Sequence, residues 1–325
     1  MAKLQSSEFV GVANRPAMIC VNTVCLWFDT TNLKPMASYC SRSGAGVWST
    51  GGSLITVKRA TATAGTQNES LVSGGLTNTG NISGTEEYNG ASWSAGGEII
   101  TTRAYLAGGG TQNQSFVAGG YTTVVVTCTE EYNGTSWSVG GGLTVVLAQS
   151  SGTGVQNEGI VFGGNNGSVM VTCTQEYNGI SWSVGGSLAV ARYLGNGSGT
   201  QNSSLFSGGG LSTGTRYSCT EEYNGISWSA GGVIINARCE LGGGGTQNES
   251  FITGGNANFS LNTSCTEEYN GTSWSVGGVL ITARRYLSGT GSQGAGLVMG
   301  GISNANLSCT EEYLKSSYTI VDCIL

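Results

Sequence analysis

The residues best equipped for chemistry in this 325-residue chain are adjacent carboxylates, and they recur. Glu86-Glu87, Glu130-Glu131, Glu221-Glu222, Glu267-Glu268 and Glu311-Glu312 each follow a Thr and precede a Tyr, and Gln175-Glu176 is the same motif without its first acid. Two carboxylates can share general acid and base work if they converge on one substrate. Adjacent residues of a strand point to opposite faces of the sheet, so these pairs cannot close on a common atom. Six copies suit a frame better than one active centre, and structural ion pairs are expected there in place of catalysis.

Other chemistry is sparse. The absence of histidine removes Ser-His and Cys-His nucleophile systems and most imidazole metal sites. No GxxxxGK[ST] phosphate loop is present. No catalytic residue, metal site or cofactor is therefore expected. Acids outnumber bases 19 to 13, the pI is about 4.8 and no basic cluster occurs, so nucleic acid and anionic membrane are not expected partners. The opening MAKLQSSEF lacks the apolar core of a secretory signal, and the apolar stretch 16–28 is short and interrupted by Asn22 and Thr23. Membrane insertion is not expected.

The elements that carry the carboxylates are repeated with them. Residues 128–141 and 265–278 read CTEEYNGTSWSVGG identically, and near-copies stand at 84–97, 173–186, 219–232 and 309–322. Trp48, Trp93, Trp137, Trp182, Trp228 and Trp274 follow one another at 45, 44, 45, 46 and 46 residues, a period that signals a propeller or a helical solenoid. With 56 Gly, 2 Pro and 10% charged residues the helical choice fails, since each Gly costs a helix interior roughly 1 kcal/mol relative to Ala. Apolar runs such as SFVAGG (115–120) and GIVFGG (159–164) read as buried strands stopped by Gly-Gly. The TEEY strand follows. Its Asn-Gly pair predicts a type I′ turn into the Trp strand, and a second Gly-Gly leads on to the next unit. Each unit is thus a four-stranded antiparallel meander.

A Gly-Gly-ended strand, a Tyr strand, then a Trp six residues before an apolar position and ten before an Arg resembles the kelch repeat of β-propellers. The TEEYNGTSW…GG.L..AR wording is similar to kelch-like arrays in structural and tail-fibre-type proteins of tailed phages, notably marine ones. The resemblance covers about residues 58–318 and implies an all-β propeller of four-stranded antiparallel blades in a viral structural protein.

Comparison of the units with one another adds a contact. Ten residues after each Trp stand Lys58, Arg103, Leu147, Arg192, Arg238 and Arg284; the first acid of the next Tyr strand is Glu86, Glu130, Gln175, Glu221, Glu267 and Glu311. Leu147 and Gln175 fall in the same unit. Losing one partner of a buried ion pair costs several kcal/mol whereas losing both can be nearly neutral, so base and first acid are expected to touch in every blade.

Of the ten cysteines, Cys128, Cys173, Cys219, Cys265 and Cys309 occupy one repeat position, with Gly84 in the remaining unit. Equivalent points on neighbouring blades lie beyond the roughly 7 Å Cα limit of a disulfide, and these five read as small buried apolar residues. Cys20, Cys25, Cys40, Cys239 and Cys323 are free of that constraint, and a bridge joining the termini is open to them.

Closure allows two counts. If Trp48 supplies the last strand of the final unit, six blades close the ring at 44–325. If Tyr318 fills that place, residues 1–52 build a seventh, divergent blade. Six is the simpler count. On either, residues 1–43 are non-repetitive and available for docking.

One face of such a ring carries the first hairpins and the Asn-Gly turns, which are monotonous. The other carries the second-to-third strand loops, which differ in every unit, as in YTTVVVT (121–127), GLSTGTRYS (210–218) and NANFSLNTS (256–264). Varied loops on a rigid scaffold are where binding evolves. Aromatic and Arg side chains favour hot spots, so Tyr121, Arg216, Tyr217 and Phe259 are the expected contact residues. The expectation is a non-enzymatic virion protein, a tail fibre or other appendage, assembled in host cytoplasm, that meets host-surface glycan or protein or neighbouring virion subunits; a homo-oligomer is compatible with it. The alternative is a carbohydrate-binding lectin with repeated sites on the monotonous face. A glycosidase-like enzyme would need clustered acids or an arginine triad on one face, which the sequence does not show.

Overall fold

Each apolar run ends at Gly-Gly because both positions need a left-handed backbone, φ 60° and 108° at Gly74 and Gly75 in the first unit. The computed structural model describes residues 46–257 and 261–315 in full, with the backbone alone of Asn258 and of strands Ile19–Val21, Val24–Asp29, Lys34–Ser41 and Thr319–Ile324. Within residues 47–314 six four-stranded antiparallel sheets form the blades of a propeller, and Asn256–Asn258 pairs with Leu261–Asn262 in a two-stranded sheet of its own. Their inner strands are Ala62–Gly65, Ala107–Gly110, Ser151–Val155, Asn196–Thr200, Gly242–Gly245 and Ser288–Gly291, in blades 1 to 6. Each lies against the next, and that of blade 6 against that of blade 1.

Trp48 closes the ring. Strand Val47–Thr50 pairs with Thr310–Leu314 as the outer strand of blade 6, with Trp48 opposite Tyr313. Trp93 stands opposite Tyr88 in the same way, ring centroids 4.9 Å apart. The six-blade count therefore holds. Blade 6 takes three strands from the end of the repeat and one from its beginning, so the closing seam is zipped by ordinary strand pairing.

The core lies between blades. Leu71 of blade 1 packs with Val117, Tyr132 and Trp137 of blade 2, and Trp48 and Val298 of blade 6 pack with Phe251 of blade 5. Second strands such as Ser115–Ala118 are buried along their whole length, sandwiched by neighbours on both sides. At the axis the blades approach backbone to backbone. A Cβ at Gly289 would sit 2.5 Å from the Gly243 nitrogen, so glycine is what lets the inner strands of blades 5 and 6 meet.

Two expectations need correction. The Asn-Gly pair does not form a type I′ turn: Gly90 is left-handed at φ 86°, but Asn89 is not. Because Tyr88 must face Trp93, four residues separate the paired positions. The loop is closed by the Asn89 N–H to the Ser92 carbonyl, while Asn89 Oδ1 accepts from the N–H groups of Ala91 and Ser92. The C-terminal tail also departs from a ring running to residue 325. Thr319–Ile324 pairs with Lys34–Ser41 in a separate four-stranded sheet with Val24–Asp29 and Ile19–Val21. That sheet belongs to a second unit, residues 1–46 with 315–325.

Candidate functional site

The repeated carboxylates divide between two structural tasks. Lys58 Nζ lies 2.9 Å from Glu86, Arg284 lies 2.6 Å from Glu311, and Arg103, Arg192 and Arg238 form ion pairs with Glu130, Glu221 and Glu267. All ten side chains are buried. Burial lowers the Lys58 ammonium from its ordinary value, and Glu86 opposes that shift. The carboxylate also accepts backbone N–H groups from the incoming link, as Glu130 does from Ile100 at 2.6 Å and Thr101 at 3.0 Å. In the exceptional unit Gln175 Oε1 keeps those bonds, to the N–H groups of Thr144 and Val145, and its amide donates to the Val145 carbonyl, while Leu147 is buried in the arginine's place.

The second acid of each pair points to the opposite side and bonds the next blade. Glu87 accepts the hydroxyl of Tyr132, Glu131 that of Tyr177, Glu176 that of Tyr223, Glu222 that of Tyr269, Glu268 that of Tyr313, and Glu312 that of Tyr88. Each hydroxyl accepts in turn from a Gly N–H, such as Gly97 to Tyr132. Burial, then the bond to the carboxylate, pushes Tyr132, Tyr177, Tyr223 and Tyr269 up to about 12. Trp137 Nε1 reaches back 3.0 Å to Thr85 Oγ1, and Gln112 Nε2 to the carbonyls of Ser70 and Tyr88. The Tyr bonds and the Gln clamp were not legible in the sequence. The Thr, both acids, the Tyr and the Trp of the repeated motif are thus occupied in holding the blades together.

A different arrangement surrounds the axis on the variable-loop face. Two residues beyond each basic position stand Ala60, Tyr105, Gln149, Leu194, Glu240 and Tyr286, all left-handed with φ between 52° and 61°. For non-glycine residues this costs roughly 1 kcal/mol each. The compensation is a closed cycle of backbone hydrogen bonds: Tyr105 N–H to Ala60 C=O, Gln149 to Tyr105, Leu194 to Gln149, Glu240 to Leu194, Tyr286 to Glu240 and Ala60 to Tyr286, at 2.8–3.1 Å. This collar rims a cavity of about 100 Å³ above the channel of about 260 Å³ lined by the inner strands.

Chemistry gathers on one side of the collar. The Tyr105 and Tyr286 rings meet edge to face at 6.0 Å. Glu240 is hydrogen-bonded to Tyr286, its side chain is 9% exposed and its Oε2 lies 3.6 Å from Arg285 Nε. Burial, then Glu240, raises the Tyr286 hydroxyl well above its ordinary value and pushes the neighbouring Cys239 thiol up to about 12. Burial also raises Tyr105 and Tyr193.

Of the expected contact residues, Tyr121, Arg216 and Tyr217 lie in the variable loops on this face. Tyr121 is exposed and bridges Ala104, next to Tyr105. Arg216 Nη2 donates to Asn256 Oδ1 at 3.2 Å, and Tyr217 is half-buried. Phe259 lies outside the described residues. Arg59, bonded to Asn306, and Arg285 join Arg216 on the same face, a grouping that comes from different blades and that the sequence did not reveal. The collar was missed as well. Its signal was variation immediately after an almost constant basic residue, in KRA, TRAY, VLAQ, ARYL, ARCE and ARRY. The five repeated cysteines are half-buried where full burial was expected, because they sit where the variable loop rejoins the third strand. Cys239 is free and buried; the bridge open to Cys20, Cys25, Cys40 and Cys323 lies outside the described side chains. Among the described residues no group of acids and cysteines is placed to hold a metal ion.

Known proteins share the architecture. No family model and no curated sequence matches the chain. A solved structure titled "Structure of YjhT" superposes with a TM-score of 0.69 over 83% of this chain and 99% of that one, at 12% identity. At that identity the likeness is one of fold alone.

Proposed function

We propose that the protein is a non-enzymatic recognition module that binds its partner at the axial mouth and the variable loops beside it. One observation carries this reading: at six equivalent collar positions the backbone is the same while the side chains are Ala, Tyr, Gln, Leu, Glu and Tyr. A scaffold that holds shape constant and changes chemistry is organised for recognition. The biological setting we propose is a tail-fibre or other external appendage of a virion, meeting a host-surface component or a neighbouring virion protein. That setting rests on the resemblance of the TEEYNGTSW wording to kelch-like phage arrays.

Attachment of the purified chain to candidate host cells tests the surface. Tyr121→Ala with Tyr217→Ala is expected to weaken attachment about tenfold or more, as loss of interface aromatics does. Ile180→Ser and Ile226→Ser, at exposed positions of the Asn-Gly loops on the other face, are expected to leave it unchanged. The reverse pattern assigns binding to the monotonous face and replaces this reading with the lectin carrying repeated sites.

A further inference from the structure

The collar cavity contains polar atoms that the fold leaves without a hydrogen bond. Ser150 Oγ and Glu240 Oε2 are both buried without one, Oε2 having only the 3.6 Å ion pair with Arg285 Nε, and both residues line the cavity. Gln149, also in the lining, has its amide oxygen engaged by Asn165 Nδ2, which leaves the amide NH₂ to donate. Tyr105 and Tyr286 give two aromatic walls set at 72° to each other, and Leu194 an aliphatic one. Unpaired buried polar atoms are costly, so a site that keeps them is suited to a ligand that supplies their partners.

Charge narrows the class. A cation entering the aromatic angle meets a carboxylate already balanced by Arg285 at 3.6 Å, and an anion meets the buried Glu240. What fits is a neutral ligand with C–H faces for the tyrosines and hydroxyls for Glu240, Ser150 and Gln149. The cavity, about 100 Å³, is well below the roughly 300–1,000 Å³ of drug-sized ligand sites and suits one small ring. We propose that the axial pocket seats a single neutral pyranose residue of a glycan, with Glu240 accepting from its hydroxyls and Tyr105 and Tyr286 packing on its ring. This deepens the recognition reading above and rests on it. It differs from a lectin with repeated sites: there is one site per ring, because the collar surrounds a single axis.

Saturation-transfer NMR on the full chain tests it, with methyl glycosides of glucose, galactose, mannose and N-acetylglucosamine as probes. At least one is expected to bind in the millimolar range typical of one small ring, with the strongest transfer to protons of one ring face. Glu240→Gln and Tyr286→Phe are each expected to weaken it about tenfold, and Ile180→Ser is expected to leave it unchanged. Tyr105→Ala guards against misfolding, since Ala60 already occupies the same left-handed conformation in blade 1; it too is expected to weaken binding while the melt stays cooperative. Glycerol as a linear polyol is expected not to compete. The inference is overturned if tetramethylammonium or acetate takes the site in preference, if glycerol competes equally, or if glycoside binding survives all three collar variants. Absence of glycoside binding with cell attachment intact and still sensitive to Tyr121 and Tyr217 overturns the sugar assignment and leaves the recognition reading standing. Attachment insensitive to that face overturns both.

Discussion

The interblade mortar and the axial collar are both six-fold, yet one is nearly invariant in sequence and the other hardly repeats. In the mortar the contacts run through side chains: Tyr hydroxyl to Glu, Trp to Thr, Gln to carbonyl, Arg to Glu. Each position is tied to its partner, so it keeps its residue or changes together with that partner, as Leu147 does with Gln175. In the collar the contacts run from backbone N–H to backbone C=O, so the fold prescribes only φ and leaves the side chain free. Variation is tolerated where the main chain holds the structure, and that is where a binding site has room to diversify.

The largest effect expected of a break in the mortar is at the seam. A chain starting at residue 52 lacks Val47–Thr50 and leaves Tyr313 without Trp48, exposing the Thr310–Leu314 edge. Calorimetry is expected to show loss of the cooperative melt, whereas a chain starting at residue 46 keeps it.

Alkali attacks the whole mortar at once. The folded-state value of about 12 for Tyr132, Tyr177, Tyr223 and Tyr269 exceeds the ordinary value of 10.0, so the folded state binds these protons more tightly. The stabilisation is complete below about pH 10 and is lost as pH rises through about 12. Unfolding monitored by circular dichroism and tyrosinate absorbance is expected to coincide in that window. Collar variants such as Leu194→Ala are expected not to move it.

A single ion pair is worth less. Arg192→Leu strands the buried Glu221 and is expected to cost about 3 kcal/mol, and adding Glu221→Gln is expected to recover most of it, since the pair then copies Leu147 and Gln175. A denaturant double-mutant cycle measures the coupling, and additive losses sink it. Tyr223→Phe leaves Glu176 and the Gly186 N–H without their partner, an expected loss of about 1–3 kcal/mol by denaturant melts.

The smallest change is in the collar. Leu194→Gly relieves the left-handed strain at φ 56° and is expected to raise stability by at most about 1 kcal/mol, while Leu194→Val is expected to lower it because a β-branched residue resists that conformation. A large loss in the glycine variant, measured by thermal melts, would show that collar side chains carry structure after all and would dissolve the contrast with the mortar.

What could be read in advance depended on variation inside the repeat. The pairing of base with first acid was legible because one unit, Leu147 with Gln175, had lost both. The pairing of Tyr132 with Glu87 was not, because Tyr and the second acid are present in all six units and nothing varies against anything else. The four-residue Asn-Gly-x-Ser loop was misread as a tight turn, since the local pair gives no sign that Tyr and Trp are held opposite each other by ring packing and by the neighbouring blade.

By itself the sequence determined the blade. Period, glycine stops and strand-length apolar runs are local properties, and local properties specify a four-stranded meander repeated six times. Only the tertiary structure decided how those blades serve a site. Strand Val47–Thr50 closes the ring across more than 250 residues of chain, and the ring's closure brings Tyr105, Glu240 and Tyr286 from three separate links to one axis. The physical reason is that their meeting depends on the geometry of the closed cycle of backbone hydrogen bonds. No pair of those residues is near in sequence, and none of their side chains is prescribed by the repeat.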